Sequence, residues 1–210
     1  MTPQSRLASV AVMGVAVLLG IGAALLWRHS SAPGNLTTGS YLSPRRALPD
    51  FSLIDQSGHA FGPQDLRGRW SFLYFGYTNC PDACPTTLTT LAALEKRLRA
   101  SGAAVRPHVV FVSVDAKRDT PAQLAQFVPY FDPEFVGVTA ASQPQIEDLA
   151  RKLGVAVYLP TPNADGSYAV EHTGEILVVD PQGKLAAILT GPFTASALQL
   201  DFGRIVAGRG

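Results

Sequence analysis

Two cysteines in one short segment have the most reactive side chains of this chain. Cys80 and Cys84 lie in the sequence GYTNCPDACP, residues 76–85, and the 210-residue chain contains no other cysteine. Their thiolates can exchange disulfides or bind a soft metal ion. Pro81 and Pro85 restrict the backbone beside the two sulfurs, so we expect the pair to be held in a fixed arrangement.

The cysteine pair has four interpretations: a structural disulfide, two buried thiols, a redox pair or part of a metal site. A disulfide between Cys80 and Cys84 closes a very short loop and stabilises a fold much less than a long-range bridge. Three residues separate the cysteines, whereas two separate those of the usual reductase motif. A metal site needs at least one further ligand, because two cysteines do not complete a stable site.

The hydrophobic pattern places the cysteines between a strand and a helix. Residues 70–75 are aromatic and lie between two glycines, which predicts a buried strand. Leucines at steps of three and four predict a helix over residues 86–98. Because a helix N-terminus carries about half a positive charge, we expect it to lower the pKa of a nearby thiol.

The remaining elements predict an α/β fold. Helical crossovers between strands imply parallel pairing, and the DPQG turn at residues 180–183 implies an antiparallel hairpin. The sequence therefore predicts a thioredoxin-like mixed sheet flanked by helices. A small hairpin is predicted from residues 51–54 and 60–61. The other predicted strands cover residues 109–114, 155–159, 175–179 and 185–189, and the other predicted helices cover residues 120–127, 143–153 and 194–206.

The third ligand of a metal site is sought among the histidines, because both methionines lie within the first 13 residues. His59 follows a Ser-Gly turn and is predicted to be solvated, whereas His108 precedes a buried strand and is interpreted as structural. His172 differs from both, because it lies just before the strand predicted at residues 175–179. In a thioredoxin-like sheet the loop that enters this strand faces the cysteine loop, so His172 is the candidate ligand.

The N-terminal part of the chain is predicted to be a membrane anchor. Residues 7–27 contain no charged side chain and, as a helix, are long enough to cross a bilayer. We predict that residues 1–29 form a short tail and a transmembrane helix. A cleaved signal peptide is the alternative, although its apolar core is usually shorter, about 7–15 residues. Residues 30–47 are predicted to be a flexible linker, and residues 48–207 are predicted to be one α/β domain.

The sequence also indicates where the protein is located and excludes some classes of function. The short N-terminal tail favours a single-pass protein of the inner (cytoplasmic) membrane, with its C-terminal domain in the periplasm. That compartment is oxidising. The net charge of +1 provides no basic excess for binding nucleic acid. Two cysteines are also too few for a disulfide-rich scaffold or a four-cysteine zinc site.

Three motifs, in order along the chain, resemble those of the SCO/SenC family. They are GYTxCPDACP at residues 76–85, SVDxxRDTP at residues 113–121, and EHT at residues 171–173 followed by a DPxG turn. The resemblance covers about residues 48–207 together with the N-terminal apolar segment. Members of this family are membrane-tethered copper chaperones with a thioredoxin fold that act in cytochrome c oxidase assembly.

The resemblance implies a copper site formed by Cys80, Cys84 and His172. Thiolates favour Cu(I), and imidazole suits both Cu(I) and Cu(II). Two sulfurs and one nitrogen form a trigonal site for Cu(I) that leaves a position open for a further ligand. Zinc is the alternative metal, since three protein ligands with a free position are also a zinc pattern.

The chain departs from the family pattern at a few positions. Asn79 stands where many members have histidine, but that position is not a metal ligand, so the site is not affected. Ala116 and Lys117 stand where Pro-Glu is frequent and are interpreted as loop variation. Asp115 and Arg118 match the motif and are interpreted as supporting or structural residues.

The resemblance allows a chaperone and an enzyme. The chaperone would deliver copper to the dinuclear centre in the copper-bearing subunit of cytochrome c oxidase, with periplasmic copper carriers or thiol reductants as further partners. The enzyme would be a thiol–disulfide oxidoreductase, with Cys80 and Cys84 as a redox pair that keeps the cysteines of that centre reduced. Thioredoxin-type reductases carry a proline just before the strand at residues 175–179. Thr173 and Gly174 stand there instead, which favours the chaperone. A thiol peroxidase is a weaker idea that no further motif supports.

Overall fold

The structure is a computed structural model that describes residues 35–208. The apolar segment predicted to cross a membrane, residues 7–27, lies outside the described residues, and so do residues 30–34 of the predicted linker. None of the helices within residues 35–208 combines the length and the apolar character needed to span a bilayer.

A mixed sheet of eight strands forms the centre of the domain, and two further strands form a small separate sheet. In chain order the strands are β1 (Gly39–Ala47), β2 (Leu53–Asp55), β3 (Ala60–Phe61), β4 (Ser71–Gly76), β5 (His108–Ser113), β6 (Val136–Thr139), β7 (Val157–Tyr158), β8 (Glu171–His172), β9 (Ile176–Val179) and β10 (Lys184–Leu189). Across the large sheet their order is β1-β10-β9-β4-β5-β6-β2-β3, and β7 pairs with β8. Strands β4, β5 and β6 are parallel, and the remaining pairs are antiparallel.

Four α-helices and two short 3-10 helices accompany the strands in the described part of the chain. They are α1 (Ala83–Ala100), α2 (Pro121–Phe127), α3 (Gln143–Leu153) and α4 (Ala195–Ala207), with the 3-10 turns at Pro63–Leu66 and Val128–Tyr130. The α1 helix buries one stripe of apolar side chains, as its leucine spacing predicts. Local signals fix the helix ends: the Thr120 hydroxyl accepts a hydrogen bond from the Gln123 N–H, and Gly154 ends α3 with a φ of 84°. The result is the predicted thioredoxin-like α/β fold.

The sheet register brings three segments to one end of the central strands: the loops that follow β4 and β5, and the segment that leads into β9. Gly76, the last residue of β4, pairs with Ser113, the last residue of β5, so the loops that follow these strands start side by side. Strand β9 runs antiparallel to β4 and begins at Ile176, opposite Tyr74. The segment that leads into β9 therefore lies at the same end of the sheet as the cysteine loop, as the fold prediction requires.

The prediction of a flexible linker over residues 30–47, with the domain starting at residue 48, is wrong for its second half. Residues 39–47 form β1, which pairs with β10 at the edge of the sheet. An edge strand has one partner and an exposed side, so it tolerates Pro44 and charged residues and lacks a clear apolar alternation. Arg45 forms an ion pair with Asp180 at 2.9 Å, which ties this strand to the turn between β9 and β10.

Three further strands differ from the sequence-based expectations. Strand β8 lies in the segment that was expected to be a loop before the strand at residues 175–179. The short strand β6 was not predicted, because four residues carry too little pattern to identify a strand. The strand predicted at residues 155–159 is shortened to β7, and it pairs with β8 outside the main sheet. This small hairpin carries His172.

Candidate metal centre

The two cysteines lie at the junction between the β4–α1 loop and the first turn of α1. Cys84 is the second residue of the helix and is fully buried, whereas Cys80 lies in the loop and is half-buried. The backbone N–H of Cys84 donates a hydrogen bond to the Cys80 sulfur at 3.4 Å. Both side chains are free thiols. The sequence-predicted pair therefore lies together, with one sulfur facing the core and one near solvent.

His172 reaches the cysteines from the β7–β8 hairpin, where it pairs with Val157. Its ring is half-buried, and its Nδ1 lies 3.0 Å from the carbonyl oxygen of Thr173. A carbonyl only accepts, so the bond places the proton on Nδ1 and leaves the lone pair on Nε2. Nε2 lies 3.6 Å from the sulfur of Cys84. The backbone thus fixes the tautomer that can bind a metal ion.

The three predicted ligands come together as one group. The sulfurs of Cys80 and Cys84 and a ring nitrogen of His172 all lie within 4.8 Å of one another. With zinc-like bonds of about 2.3 Å to sulfur and about 2.0 Å to nitrogen, a trigonal ion separates the two ligand atoms by about 3.7 Å. The 3.6 Å between Cys84 and His172 matches that separation. These two ligand atoms need no rearrangement to bind one ion.

The electrostatic setting of Cys84 differs from the sequence-based expectation. Burial raises the pKa of the Cys84 thiol to about 12, and this effect outweighs the hydrogen bonds to the Tyr77 backbone and the Tyr74 side chain, which lower it. The expectation that the helix N-terminus lowers the thiol pKa is wrong for Cys84, because removal from water disfavours the thiolate more strongly. A metal ion that binds this sulfur must displace its proton.

Two tyrosine rings enclose the histidine side of the site. The Tyr77 and Tyr74 rings stand edge-on to the imidazole, with centroids 6.0 Å and 6.5 Å away. Burial is the largest cause of the raised pKa of both phenols, so they stay uncharged. Tyr77 belongs to the GYT motif, but its contact with His172 was not predicted, because the two residues are distant in the sequence.

Gly76 supplies space that the sequence analysis did not recognise. A Cβ atom at this position would lie 2.7 Å from the ring of Phe111 and 2.9 Å from the sulfur of Cys84. Contacts this short force a neighbour to move, so only glycine leaves the sulfur where it lies. The motif position between a buried strand and the cysteine loop is the only signal in the sequence for this role.

The other two histidines within residues 35–208 lie apart from this group. His59 has a largely exposed side chain 3.6 Å from the Asp55 carboxylate, in agreement with a solvated turn residue. His108 begins β5 opposite Ser71, at the end of the sheet remote from the cysteine loop. Burial, followed by the charge of Arg69, lowers the pKa of His108. These positions agree with the interpretation of His59 as a solvated residue and of His108 as a structural one.

The similarity to a known family extends over almost the whole described domain. A family model described as SCO1/SenC matches residues 40–206 of this chain. The chain belongs to the SCO1/SenC family. The match covers both arms of the site, namely the cysteine segment at residues 76–85 and the β7–β8 hairpin that carries His172. The resemblance seen in the three motifs is therefore confirmed.

Individual relatives agree with membership of the SCO1/SenC family. The chain is 32% identical to the SCO2-like protein RC0895 of Rickettsia conorii over 185 residues, which covers 86% of this chain and 88% of the relative. The copper-bound crystal structure of Arabidopsis thaliana ScoI is 32% identical, with a TM-score of 0.68 over 77% of this chain and 97% of that one. The copper-bound crystal structure of yeast Sco1 is 26% identical, with a TM-score of 0.71 over 79% of this chain and 91% of that one.

Proposed function

We propose that this protein is a copper chaperone that binds Cu(I) and Cu(II) through Cys80, Cys84 and His172. The observation that carries the proposal is the approach of the three ligand atoms to within 4.8 Å of one another. The copper-bound structures of two relatives of the same fold support the choice of metal. Delivery to the dinuclear copper centre of cytochrome c oxidase is the part of the proposal that rests on the family.

The donor set favours copper over zinc. Two thiolates and one imidazole are soft or intermediate ligands, which suit Cu(I), and the imidazole also suits Cu(II). Structural zinc sites almost always have four protein ligands, and no fourth His, Cys, Asp or Glu joins this group within residues 35–208. A structural zinc site is therefore disfavoured. Zinc could compete with copper only as an ion bound by three protein ligands, with its fourth position open.

The exposure of the site fits transfer of the metal. Cys84 is buried, but Cys80 and His172 are half-buried, so a partner can approach the ion from their side. A three-ligand site has room for an incoming cysteine to bind before the chaperone releases the ion. Exchange through such a shared intermediate avoids free copper at every stage.

A thiol–disulfide oxidoreductase is the second candidate function, favoured by the two free thiols in contact through the Cys84 N–H. The thiol of Cys80 is the accessible one and would attack a partner disulfide, and Cys84 would resolve the mixed disulfide. Thr173 and Gly174 occupy the place of the reductase proline before β9. This departure makes the chaperone the better proposal.

We further propose that residues 7–27 anchor the protein in the inner membrane, with the domain in the periplasm. The uncharged length of this segment and the short tail before it support this topology. In an oxidising compartment Cys80 and Cys84 can form a disulfide. Copper binding needs both thiols reduced, so the redox state of the pair would control whether the protein binds copper.

An anaerobic titration of the full-length protein with Cu(I), in competition with a Cu(I) chelator, tests the chaperone proposal. We expect one tightly bound Cu(I) per chain, loss of that binding in Cys80→Ser and Cys84→Ser, and no displacement by equimolar zinc. Oxidation of the pair to a disulfide is expected to abolish binding until reductant is added. Tight binding by either serine variant would contradict the proposed site.

A further inference from the structure

A short loop after β5 contacts both arms of the metal centre, the cysteine segment and the segment that carries His172. This 115–119 loop follows β5 and lies beside the cysteine loop, because Gly76 and Ser113 end their strands in register. The Val114 N–H donates to the Gly76 carbonyl at 2.8 Å, so the two loops are joined at their base. Two neighbouring side chains of this loop, Arg118 and Asp119, point to different parts of the site.

Arg118 holds the chain segment that carries the histidine. Its Nη1 donates to the backbone carbonyl of Tyr168 at 3.0 Å, and its guanidinium carbon lies 3.6 Å from the centroid of the Tyr168 ring. The Tyr168 hydroxyl donates to the Asp115 carboxylate at 2.9 Å, and the same carboxylate accepts from Arg118 Nε. Tyr168 precedes His172 by four residues. The arginine therefore fixes the chain just before the ligand.

The same guanidinium also contacts the cysteine side. Its central carbon lies 5.6 Å from the centroid of the Tyr77 ring, which is in reach of a cation–π contact. Tyr77 in turn stands perpendicular to the His172 ring at 6.0 Å. Arg118 thus touches one aromatic ring on each arm of the site. Its Nη2 is buried and has no hydrogen-bond partner among the described residues.

Asp119 holds the start of the cysteine loop. Its fully buried carboxylate accepts hydrogen bonds from the Thr78 backbone N–H at 2.9 Å, the Thr78 hydroxyl at 2.6 Å and the Ser113 hydroxyl at 2.7 Å. Thr78 precedes Cys80 by two residues. Three hydrogen bonds to one buried carboxylate hold this part of the loop against the end of β5.

We propose that the 115–119 loop sets the distance between the two arms of the metal centre, with Arg118 positioning His172 and Asp119 positioning the cysteine loop. Neither side chain is a ligand, and both act through the residues that they hold. The inference rests on the proposed copper site, since it assigns the parts of that site that fix its geometry. It adds to the three ligands two positioning residues that are adjacent in the sequence.

Arg118→Lys is the test, because lysine keeps the positive charge and loses the planar fork and the stacking surface. Loss of the hold on Tyr168 frees the hairpin, while the two sulfurs stay in place. We expect Cu(II) affinity of the full-length protein to fall by about tenfold or more, the size typical for residues that orient a ligand. We expect the Cu(II) electron paramagnetic resonance spectrum to shift toward that of His172→Ala. Cu(I) affinity is expected to change by less than about threefold, because both thiolates remain.

Arg151→Lys is the matched control. Arg151 also pairs with an aspartate three residues earlier, Asp148, but it lies on the exposed face of α3. Within residues 35–208 its guanidinium forms hydrogen bonds and ion pairs only with Asp148, so its substitution should leave Cu(II) affinity and spectrum unchanged. A wild-type Cu(II) affinity and spectrum in Arg118→Lys would overturn the inference. Failure of the wild-type chain to bind copper would instead overturn the proposed function, so the two failures are distinguishable.

A second variant and a measurement on the metal-free protein guard against a general loss of folding. Tyr168→Leu removes the stacked ring from the other side of the same contact. The double variant Arg118→Lys/Tyr168→Leu should lose no more Cu(II) affinity than the larger single loss, because both changes break one interaction. Without metal, the backbone amides of residues 168–172 should gain mobility in ¹⁵N relaxation in both single variants. Additive losses, or unchanged relaxation with intact melting, would contradict the positioning role.

Discussion

At the scale of single residues, the site combines two sulfurs and one nitrogen with different tasks. Cys84 is buried and Cys80 is half-buried, so in the proposed copper site Cys80 is the sulfur that a partner can reach. His172 presents Nε2 because Thr173 accepts the Nδ1 proton. In the proposed site the two thiolates suit Cu(I), and the imidazole also suits Cu(II).

His172→Ala is predicted to weaken Cu(II) binding far more than Cu(I) binding, because two thiolates still hold the softer ion. The measurement is a pair of titrations, Cu(II) followed by visible absorption and Cu(I) followed by chelator competition. His59→Ala is the control, since that histidine is largely exposed and lies apart from the cysteines. An unchanged Cu(II) spectrum in His172→Ala would exclude this histidine as a ligand.

Gly76→Ala is predicted to disturb both the core and the site. The added methyl group collides with the Phe111 ring and the Cys84 sulfur, so overpacking should lower the free energy of unfolding by about 1–3 kcal/mol. Displacement of the sulfur should also reduce Cu(I) affinity. Urea unfolding and chelator competition measure the two effects. Gly203→Ala in α4, where a Cβ meets nothing within 4 Å, is the control. Wild-type values for Gly76→Ala would show that this space is not needed.

The three proposed ligands could be predicted from residue types and motifs, but their supports could not. The cysteine spacing and the place of His172 before a predicted strand pointed to three residues that lie together in the structure. Arg118 contacts Tyr77 across 41 residues of sequence and Tyr168 across 50, and no local pattern records such contacts. The close approach at Gly76 likewise exists only once β4 and α1 are packed.

At the scale of elements, the edge strand β1 depends on one buried carboxylate in α4. The Asp201 carboxylate is fully buried and accepts hydrogen bonds from the backbone N–H groups of Thr37 and Thr38 and from the Thr38 hydroxyl, at 2.7–2.8 Å. Burial alone would raise the pKa of Asp201, but these hydrogen bonds outweigh it and lower the pKa below its usual value. The carboxylate therefore secures the segment that leads into β1.

Asp201→Asn is predicted to lower the free energy of unfolding by about 2 kcal/mol at pH 7, because the amide is a weaker acceptor and brings donors into this site. A carboxylate with a lowered pKa stabilises the fold above its unfolded pKa of about 3.9. That stabilisation is lost as the pH falls through the lower folded pKa, so the difference from the variant should shrink near pH 3. Urea unfolding at both pH values tests this.

Asp50→Asn is the control for this experiment, since Asp50 is exposed in the segment between β1 and β2. It should leave the unfolding free energy close to that of the unmodified chain at both pH values. A difference between Asp201→Asn and the unmodified chain that stays constant from pH 7 to pH 3 would contradict the role of the ionised carboxylate.

Most helices and central strands could be predicted because their patterns are local. The leucine spacing of α1, the Thr-Pro start of α2 and the glycine after α3 each mark an element within a few residues. Strand β1 was missed because its stability comes from partners far away in the chain, namely β10 and Asp201. Its own residues include Pro44 and two arginines, which by themselves are typical of a linker.

At the scale of the whole molecule, we propose that a membrane anchor precedes a domain whose metal site lies at one end of the central strands. Removal of residues 1–29 is predicted to move the protein from the membrane to the soluble fraction, because the uncharged segment at residues 7–27 is lost. Cu(I) affinity should stay unchanged, since the three ligands lie within the described domain. Fractionation and chelator competition measure the two outcomes. A full-length protein found in the soluble fraction would contradict the anchor.

The coordination of the bound ion is the most direct test of the central claim, that two sulfurs and one nitrogen from separate parts of the chain bind a single copper ion. X-ray absorption spectroscopy of the reduced, Cu(I)-loaded full-length protein measures it. The account predicts one copper per chain with two sulfur neighbours and one imidazole nitrogen, and loss of the imidazole signal in His172→Ala. A copper shell with no sulfur, or one unchanged by His172→Ala, would contradict it.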